Sequence, residues 1–448
     1  MEIGRSGSRR TLRGDRLAWA IVALALVLRV AFVAAYSRPN SRCEDCKFYD
    51  EVGWNVASGR GFVGGFASET FAGPSPLGAN APEAGMGPVY PLFVAAIFRI
   101  AGHSPSAVHL AQAFVGAATV LVIFNVGLAF GRRPALAAAL ITAMTPALIQ
   151  YTGLMLTETL FAFVLALTVW LMIRAAHRGG LASAVAAGVS MGVCVLLRSE
   201  CLVIVPLFAI LLSRRVPARR VQAAVTMTAI ACATVSIWTI RNIRVFHEPI
   251  VVSAAGGEIL WIATQGWSEW RFDDPELHHL IGGQDYVGQN HILGRAAIQN
   301  IRQDPMRYLR YCLRRIPEFW ISSHTSYIDR LDERFSAYTQ RGEYGRVIVK
   351  SLLLTVNLAV LGLAVAGIVD RWRIPDAWFL LTPILTIAVV HVFLYASPRY
   401  QVPILPLLFV FAGVTLSRQS PSSRSRSPRN TAAFAGDRAA DAASGSAG

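Results

Sequence analysis

The sequence predicts an all-α fold, a multi-pass transmembrane helical bundle of about ten spans with amphipathic helices and loops on its outer face. Hydrophobic residues make up 54% of the 448 residues, charged residues only 15%, and the mean hydropathy is +0.45. Apolar runs near the roughly 20 residues that a bilayer-crossing helix needs recur from end to end. Because lipid offers the backbone no hydrogen-bond partners, only helices and closed barrels cross it, and continuous apolar runs indicate helices.

The first span is expected at 17–36, after a charged leader. Its apolar stretch is long for a signal peptide and no A-x-A-like cleavage site follows closely, so we expect an uncleaved helix. Segment 200–213 is short for a span. The remaining spans are expected at 107–130, 134–151, 157–174, 181–198, 221–240, 347–369, 377–395 and 402–417.

The charge of the loops gives the predicted orientation. With the N-terminus inside, every expected cytoplasmic loop is short and rich in arginine, and this accounts for most of the net charge of +15. Basic residues are not gathered on one polar domain, so the sequence predicts no nucleic-acid partner. The arginine-rich loops are Arg132-Arg133, 174–178, "SRRVPARR" and "DRWRIPD".

Segment 88–102 is apolar, but counting it as a span would place the later arginine loops outside. We therefore expect an amphipathic or re-entrant helix at the outer surface. Outer loops are then expected at 37–106 and 241–346, and the second contains "AIQNIRQDPMRYLRYCLRRIPEFW", which should lie along the lipid headgroups. The predicted organisation is a cytoplasmic segment 1–16, a membrane domain 17–416 and a disordered cytoplasmic tail 417–448.

Charged residues at the expected outer ends of the spans should face one compartment. Ionisable groups at membrane depth are costly and usually line a functional cavity. Carboxylates and arginines that converge on one side indicate a site that handles a proton and an anion. The set comprises Asp45, Asp50, Glu51, Glu158, Arg198, Glu200, Arg241, Arg244 and Arg399.

Six short motifs carry a family resemblance. In chain order they are "DCKFYDEVGWNVASGRGF" at 45–62, "GPVYPLF" at 87–93, "LMLTETLF" at 154–161, "LLRSE" at 196–200, "WTIRN" at 238–242 and "SPRYQVPILP" at 397–406. Together they resemble the GT-C superfamily of integral membrane glycosyltransferases, most of all the branch containing protein O-mannosyltransferases, lipid A aminoarabinose transferases and enzymes that glycosylate lipopolysaccharide cores. The likeness runs from Leu17 to Pro406. One departure is Met86, since the aminoarabinose branch carries a lysine before the two prolines of this segment.

The resemblance implies an inverting glycosyltransferase of the plasma membrane. It would take a sugar from a polyprenyl-phosphate carrier at the outer face and pass it to an envelope glycan, lipid or protein acceptor. A carboxylate base would remove the acceptor proton while the acceptor oxygen attacks the anomeric carbon. Phosphate already leaves readily as an anion, so one carboxylate suffices where glycoside hydrolysis needs two. The scheme requires no cofactor, and a divalent cation is left open.

The resemblance gives roles to two carboxylates. Asp45, four residues before Tyr49, matches the catalytic base, and the alternative is that it caps a helix beginning near Phe48. Glu158 matches an acidic family position that supports the base or an associated metal. Its alternative is a first-turn carboxylate next to a Thr157 cap.

The expected phosphate ligand is Arg399, with Tyr400 beside it, because a planar guanidinium suits bidentate contact with phosphate. The alternative is an arginine that snorkels from a helix end. Arg198 and Arg241 have the same two interpretations. The remaining substrate-binding candidates are Tyr49, Asp50 and Glu51.

Cys43 and Cys46 form a C-x-x-C pair around Asp45. Such a pair can be a local disulfide, two free thiols, a redox motif or half of a metal site. No βαβ pattern surrounds it and no second ligand pair completes a zinc site, so the first two options are favoured.

A transporter or flippase of lipid-linked sugars is the alternative from a different functional class. Such proteins show inverted repeats, broken helices and polar residues near the bilayer midplane. None of these features is clear in the sequence, and the enzyme is therefore the favoured hypothesis.

Overall fold

The computed structural model describes residues 15–36, 43–70, 73–214, 217–265, 279–328 and 331–418. The predicted cytoplasmic segment 1–16 and tail 417–448 lie almost wholly outside these residues, and both stay predictions. The compact unit to which the described helices belong ends at Ser417.

The first half of the chain contains nine helices within the described residues. They are α1 (Arg16–Tyr36), α2 (Glu44–Ala57), α3 (Val89–Ala101), α4 (Pro105–Gly127), α5 (Arg132–Met144), α6 (Pro146–Gln150), α7 (Glu158–Arg178), α8 (Leu181–Leu197) and α9 (Ile204–Ser213). Short 3-10 turns follow α6 at Tyr151–Gly153 and precede α9 at Ser199–Val203.

The second half contains nine further helices within the described residues. They are α10 (Pro217–Phe246), α11 (Gly256–Gln265), α12 (Tyr286–Gln303), α13 (Pro305–Trp320), α14 (Phe335–Gln340), α15 (Tyr344–Arg371), α16 (Ala377–Phe393), α17 (Pro398–Gln401) and α18 (Leu405–Leu416). The first outer loop adds a small antiparallel ladder, β1 (Glu69–Thr70) and β2 (Gly73–Pro74), with Glu69 opposite Pro74.

The all-α membrane bundle is confirmed. Six helices of the described residues are long and apolar enough to cross a membrane, and the pair α5 and α6, bent by 54°, is a seventh candidate. Predicted spans 181–198, 200–213 and 377–395 coincide with shorter apolar helices, as does the predicted surface segment 88–102. The count of ten spans stays a prediction. The six long helices are α1, α4, α7, Val221–Phe246 of α10, α15 and Pro398–Leu416.

Small residues let the helices of the bundle approach closely. A Cβ at Gly188 of α8 would lie 2.7 Å from the carbonyl oxygen of Met227 on α10, and one at Gly413 of α18 would lie 2.5 Å from that of Pro134. Such contacts are typical of membrane bundles, in which van der Waals packing replaces the hydrophobic effect between helices. Helix α18 lies at the centre of this packing, because all residues from Leu405 to Val414 are buried.

A buried arginine stabilises the break between α5 and α6. Pro146 has no N–H and cannot continue α5, which leaves the last carbonyls of that helix without intrahelical partners. Arg29 of α1 donates to the carbonyl oxygens of Thr142 and Ala143, each at 3.2 Å. A positive charge suits a helix C-terminus. The chain can therefore turn after Met144 and lead into the start of α7, where Glu158 lies.

Candidate active site

Charged side chains from four separate segments meet at one end of the bundle. Asp45 lies in the first turn of α2, Glu158 begins α7, Arg198 follows α8 and Arg399 lies in α17. They form a row of alternating charge in the order Asp45, Arg399, Glu158 and Arg198. Glu200 continues the row beyond Arg198. We call the residues Asp45, Arg399, Glu158, Arg198 and Glu200 the charged row.

Arg399 lies between the two predicted catalytic carboxylates. Its Nη1 donates to Asp45 Oδ2 and its Nε donates to Glu158 Oε1. The Arg399 side chain is only 11% exposed, so it does not snorkel. The structure thus places the residues predicted as base and phosphate ligand in direct contact.

Glu158 is fully buried and holds two arginines together. Arg198 Nη2 donates to Glu158 Oε1 at 2.7 Å and to the hydroxyl of Thr157 at 2.9 Å. Thr157 is the N-cap residue of α7 and Glu158 lies in its first turn, as the alternative interpretation had it, but the Thr157 side chain makes no capping hydrogen bond. A buried carboxylate is stable only when paired, and the pairing of Glu158 with Arg399 and Arg198 supplies this.

Asp45 is the accessible end of the charged row. Its side chain is 36% exposed, whereas that of Glu158 is inaccessible. The helix begins at Glu44 with Cys43 at its N-cap, not near Phe48, so Asp45 is not the helix cap. Cys43 and Cys46 are joined by a disulfide, which resolves the open alternatives and ties together the turn that carries Asp45.

Aromatic rings support both ends of the row. The ring of Tyr49, one turn after Asp45, packs edge-on against Tyr90 with centroids 4.8 Å apart. Burial, and then the charge of Asp45, raises the pKa of Tyr49 well above its ordinary value, so its hydroxyl stays protonated. At the other end, the Tyr400 ring stacks on His391 with centroids 4.1 Å apart.

Three predicted substrate-binding residues contact other parts of the outer loop. Asp50 pairs with His103 at 3.0 Å, and Glu51 accepts from the backbone N–H of Gly65 at 3.2 Å. Arg241 donates to the carbonyl oxygens of Phe62 and Glu83, each at 3.2 Å. These contacts organise the first outer loop and do not extend the charged row.

Two buried carboxyls lie in the outer loops near the site. Glu258 of α11 accepts from the Tyr286 hydroxyl at 3.0 Å. Burial, together with the negative charge of Asp45, raises the pKa of Glu258 to about 8, against the effect of that hydrogen bond. Burial also raises the pKa of Glu83 to about 7.

Comparison with known proteins identifies the architecture. Residues 83–238 match a family model described as Dolichyl-phosphate-mannose-protein mannosyltransferase. The archaeal oligosaccharyltransferase AglB from Archaeoglobus fulgidus, solved in complex with an inhibitory peptide and a dolichol-phosphate, superposes with a TM-score of 0.52 at 14% sequence identity. The match covers 91% of this chain and 51% of that chain.

Another structure of the A. fulgidus oligosaccharyltransferase, tethered with an acceptor peptide containing the NVT sequon, gives a TM-score of 0.51. It is 13% identical over 90% of this chain and 50% of its own. The chain has the GT-C fold. The resemblance to that superfamily, which began with the motif around Asp45, is confirmed at this level.

This chain spans about half the length of the A. fulgidus enzyme. ArnT from Cupriavidus metallidurans bound to undecaprenyl phosphate aligns with 91% of this chain and 62% of its own at 17% identity, with a TM-score of 0.44. No curated protein sequence matches the chain.

The charged row of this GT-C fold does not fit a divalent cation. The Arg399 guanidinium lies between Asp45 and Glu158, where a metal ion would need their oxygens. In the described residues, no group of three or more His, Cys, Asp or Glu side chains is arranged to hold a metal.

His391 is the main residue of the site that the sequence did not single out. Its Nδ1 lies 3.0 Å from the carbonyl oxygen of Tyr395, and its Nε2 lies 3.6 Å from Glu200 Oε1. A histidine near the outer end of an apolar run is the signal that could have found it, because polar groups at membrane depth are usually functional.

Proposed function

We propose that the chain is an inverting glycosyltransferase. It transfers a sugar from a polyprenyl-phosphate carrier to an envelope glycan, lipid or protein acceptor at the outer face of the plasma membrane. The contact between Asp45 and Arg399 carries the proposal, because it joins an accessible carboxylate base to a cation suited to phosphate. The description of the matched family and the dolichol-phosphate bound to AglB support the carrier class.

Asp45 is the proposed base. The acceptor hydroxyl gives its proton to an Asp45 oxygen while the hydroxyl oxygen forms a bond to the anomeric carbon. The bond from that carbon to the phosphate oxygen breaks on the opposite side, and its electron pair leaves with the phosphate. Configuration therefore inverts. Of the two carboxylates in contact with Arg399, Asp45 is the one that can serve, because Glu158 is inaccessible.

Arg399 is the proposed ligand of the carrier phosphate. Glu158 holds its Nε, which fixes the guanidinium plane, and leaves the Nη edge to exchange Asp45 for a phosphate. Arginine forms strong bidentate hydrogen bonds with phosphate oxygens. This exchange also releases Asp45 from its hydrogen bond to Arg399, so that its carboxylate can face the acceptor hydroxyl.

Glu158 and Arg198 are positioning residues in this scheme. Glu158 is hydrogen-bonded to both arginines, and the Arg198 guanidinium lies over the Tyr400 ring at 4.9 Å from the centroid. The pair fixes Arg399 and Tyr400 relative to α7. Tyr49, beneath Asp45, keeps the first turn of α2 packed against α3 through its contact with Tyr90.

The decisive experiment compares two neighbouring carboxylates. Purified Asp45→Asn should transfer no sugar from a panel of polyprenyl-phosphate hexoses and pentoses, whereas Glu44→Gln should retain transfer. Glu44 is exposed on the same helical turn, so the charge change is matched. Near-normal transfer by Asp45→Asn would refute the assignment of Asp45 as the base. Separately, mass spectrometry of envelope glycans with and without the gene would identify the sugar.

A flippase of lipid-linked sugars is the alternative, and the broken helix pair α5 and α6 favours it, since transporters commonly use such breaks. Proteoliposomes distinguish the two. Movement of an intact carrier-linked sugar across the bilayer, with no glycosylated product from any acceptor, would contradict the enzyme.

A further inference from the structure

Helix α13 has three distinct faces. Its protein-facing side carries four residues at helical spacing: the half-buried Tyr308 and the buried Cys312, Arg315 and Phe319. About a third of a turn away lies an exposed apolar stripe, and on the remaining side lies an exposed arginine stripe. The apolar stripe consists of Met306, Leu309, Leu313 and Ile316, and the arginine stripe of Arg307, Arg310 and Arg314.

The first face attaches the helix to the rest of the protein. The Tyr308 hydroxyl donates to the carbonyl oxygen of Phe393 at 2.5 Å, and Arg315 donates to that of Ala263. Phe319 lies parallel to the His391 ring with centroids 6.1 Å apart. Because these contacts use one side of α13, the apolar stripe is not the side that packs on the bundle.

The arginines around the stripe carry charge that the described part of the chain does not neutralise. Arg307 and Arg310 make no ion pair there, and neither do Arg295 and Arg302 of the preceding helix, α12. The last two line a surface groove of about 550 Å³ together with Ile298, Gln299 and Gln303. Helices α12 and α13 therefore present unpaired positive charge beside exposed apolar side chains.

We propose that the consecutive helices α12 and α13 bind the phosphate headgroups of anionic phospholipids. The apolar stripe of α13 enters the outer edge of the acyl chains, and the arginines beside it take the lipid phosphates. An interfacial helix combines an apolar side with arginine or lysine on its polar side, and its binding depends on anionic lipid. A water-soluble acidic partner would satisfy the arginines but leave the apolar stripe in water. The inference does not rest on the proposed sugar transfer.

Lipid binding has a structural consequence for the site. Phe319 at the end of α13 lies against His391, which stacks on Tyr400, so a chain of ring contacts connects the helix to the charged row. Helices α12 and α13 seated on headgroups would hold the site at the depth where a carrier phosphate lies. Variants of this chain with weaker lipid contact at α13 should therefore show less order around His391 and Tyr400.

The test places a probe on the apolar stripe of the full-length protein. The background is Cys232→Ser, which removes the exposed free cysteine. In it, Leu313→Cys is labelled with an environment-sensitive fluorophore. The control is Ser336→Cys, labelled in the same way at an exposed polar position on α14. Both are placed in nanodiscs of phosphatidylcholine alone or with phosphatidylglycerol, and quenching by aqueous iodide is measured.

The probe at Leu313 should be quenched at least about two-fold less than the probe at Ser336, with a further reduction in anionic discs. The triple change Arg307→Gln, Arg310→Gln and Arg314→Gln should abolish that further reduction, and the corresponding lysine changes should restore it. Three results would each overturn the proposal. The first is equal quenching at both positions, and the second is protection at Leu313 that does not change with lipid charge. The third is protection that depends on protein concentration, which would indicate a second copy of the chain.

Discussion

Asp45 and Arg399, which are 354 positions apart in the sequence, form a direct salt bridge. The bridge makes the proposed base and the proposed phosphate compete for one guanidinium edge. A carboxylate that must accept a proton is thus restrained until an anion replaces it at Arg399. The restraint has measurable consequences for carrier binding.

Asp45→Asn should bind polyprenyl phosphate more tightly while losing transfer. Removal of the Asp45 charge leaves the Arg399 Nη edge without its competitor, so carrier affinity should rise by about ten-fold, or roughly 1.4 kcal/mol. Binding can be measured with a short-chain polyprenyl phosphate in detergent. A variant that lost both activity and carrier affinity would show that Asp45 binds the donor itself. Glu44→Gln should change neither property, because the Glu44 side chain is exposed.

Arg399→Gln should lose carrier binding, by roughly 10- to 100-fold, because a hydrogen bond to a charged group contributes about 1.5–3 kcal/mol. Arg399→Lys should recover only part of it, since an ammonium cannot form the planar two-point contact. Arg346→Gln is the control, because Arg346 pairs with Glu343 in a partly exposed contact at the start of α15. Carrier affinity unchanged in Arg399→Gln would remove this residue from the donor site.

Stability should fall as the pH rises from about 4.5 to about 8, because of Glu258. Its pKa is about 8 in the folded protein and 4.5 ordinarily. Below pH 4.5 both states hold the proton and the residue has no effect; between the two values only the unfolded state releases it, so unfolding becomes easier. The cost is complete above pH 8 and is on the order of a few kcal/mol.

Glu258→Gln should flatten this dependence. Thermal unfolding in detergent at pH 5 and pH 9 should show a smaller difference for the variant than for the wild type. The difference should not vanish, because Glu83, with a pKa of about 7, contributes in the same direction. A slope equal to that of the wild type would mean that Glu258 is ionised in the folded protein.

The sequence predicts the bundle and the members of the charged row for different reasons. Span positions follow from hydropathy, which is a local property. Asp45, Glu158 and Arg399 were found through the family motifs and through loop charge, which place them on one side. Their contact could not be read from either source, because it depends on how α2, α7 and α17 pack, and those helices are separated by more than a hundred residues.

Other features escaped because their signals are weak in the sequence. Arg29 is a single charge inside the first apolar run, and nothing local links it to a helix end 113 residues later. Glu258 looks like an ordinary first-turn acid of a short helix, and only its burial beside Tyr286 makes it unusual. The C-x-x-C spacing around Asp45 allowed several pairings, and geometry was needed to choose the disulfide.

Gly116→Ala should destabilise the break between α5 and α6. A Cβ at Gly116 of α4 would lie 2.5 Å from Nε of Arg29, so the guanidinium that holds the Thr142 and Ala143 carbonyls must shift. Overpacking of a tight interior typically costs about 1–3 kcal/mol. Thermal unfolding in detergent should therefore occur at a lower temperature than in the wild type.

A matched control is available in α15. Gly362 is also helical, but nothing lies within 4 Å of the Cβ that alanine would add. Gly362→Ala should leave stability unchanged or raise it by about 0.5–1 kcal/mol, because alanine loses less backbone entropy than glycine in a helix. If Gly116→Ala behaved like Gly362→Ala, Arg29 would tolerate displacement and would not hold the break. In that case Arg29→Met, which removes both carbonyl contacts, should also be neutral. If Arg29 does hold the break, Arg29→Met should lower stability more than Gly116→Ala does.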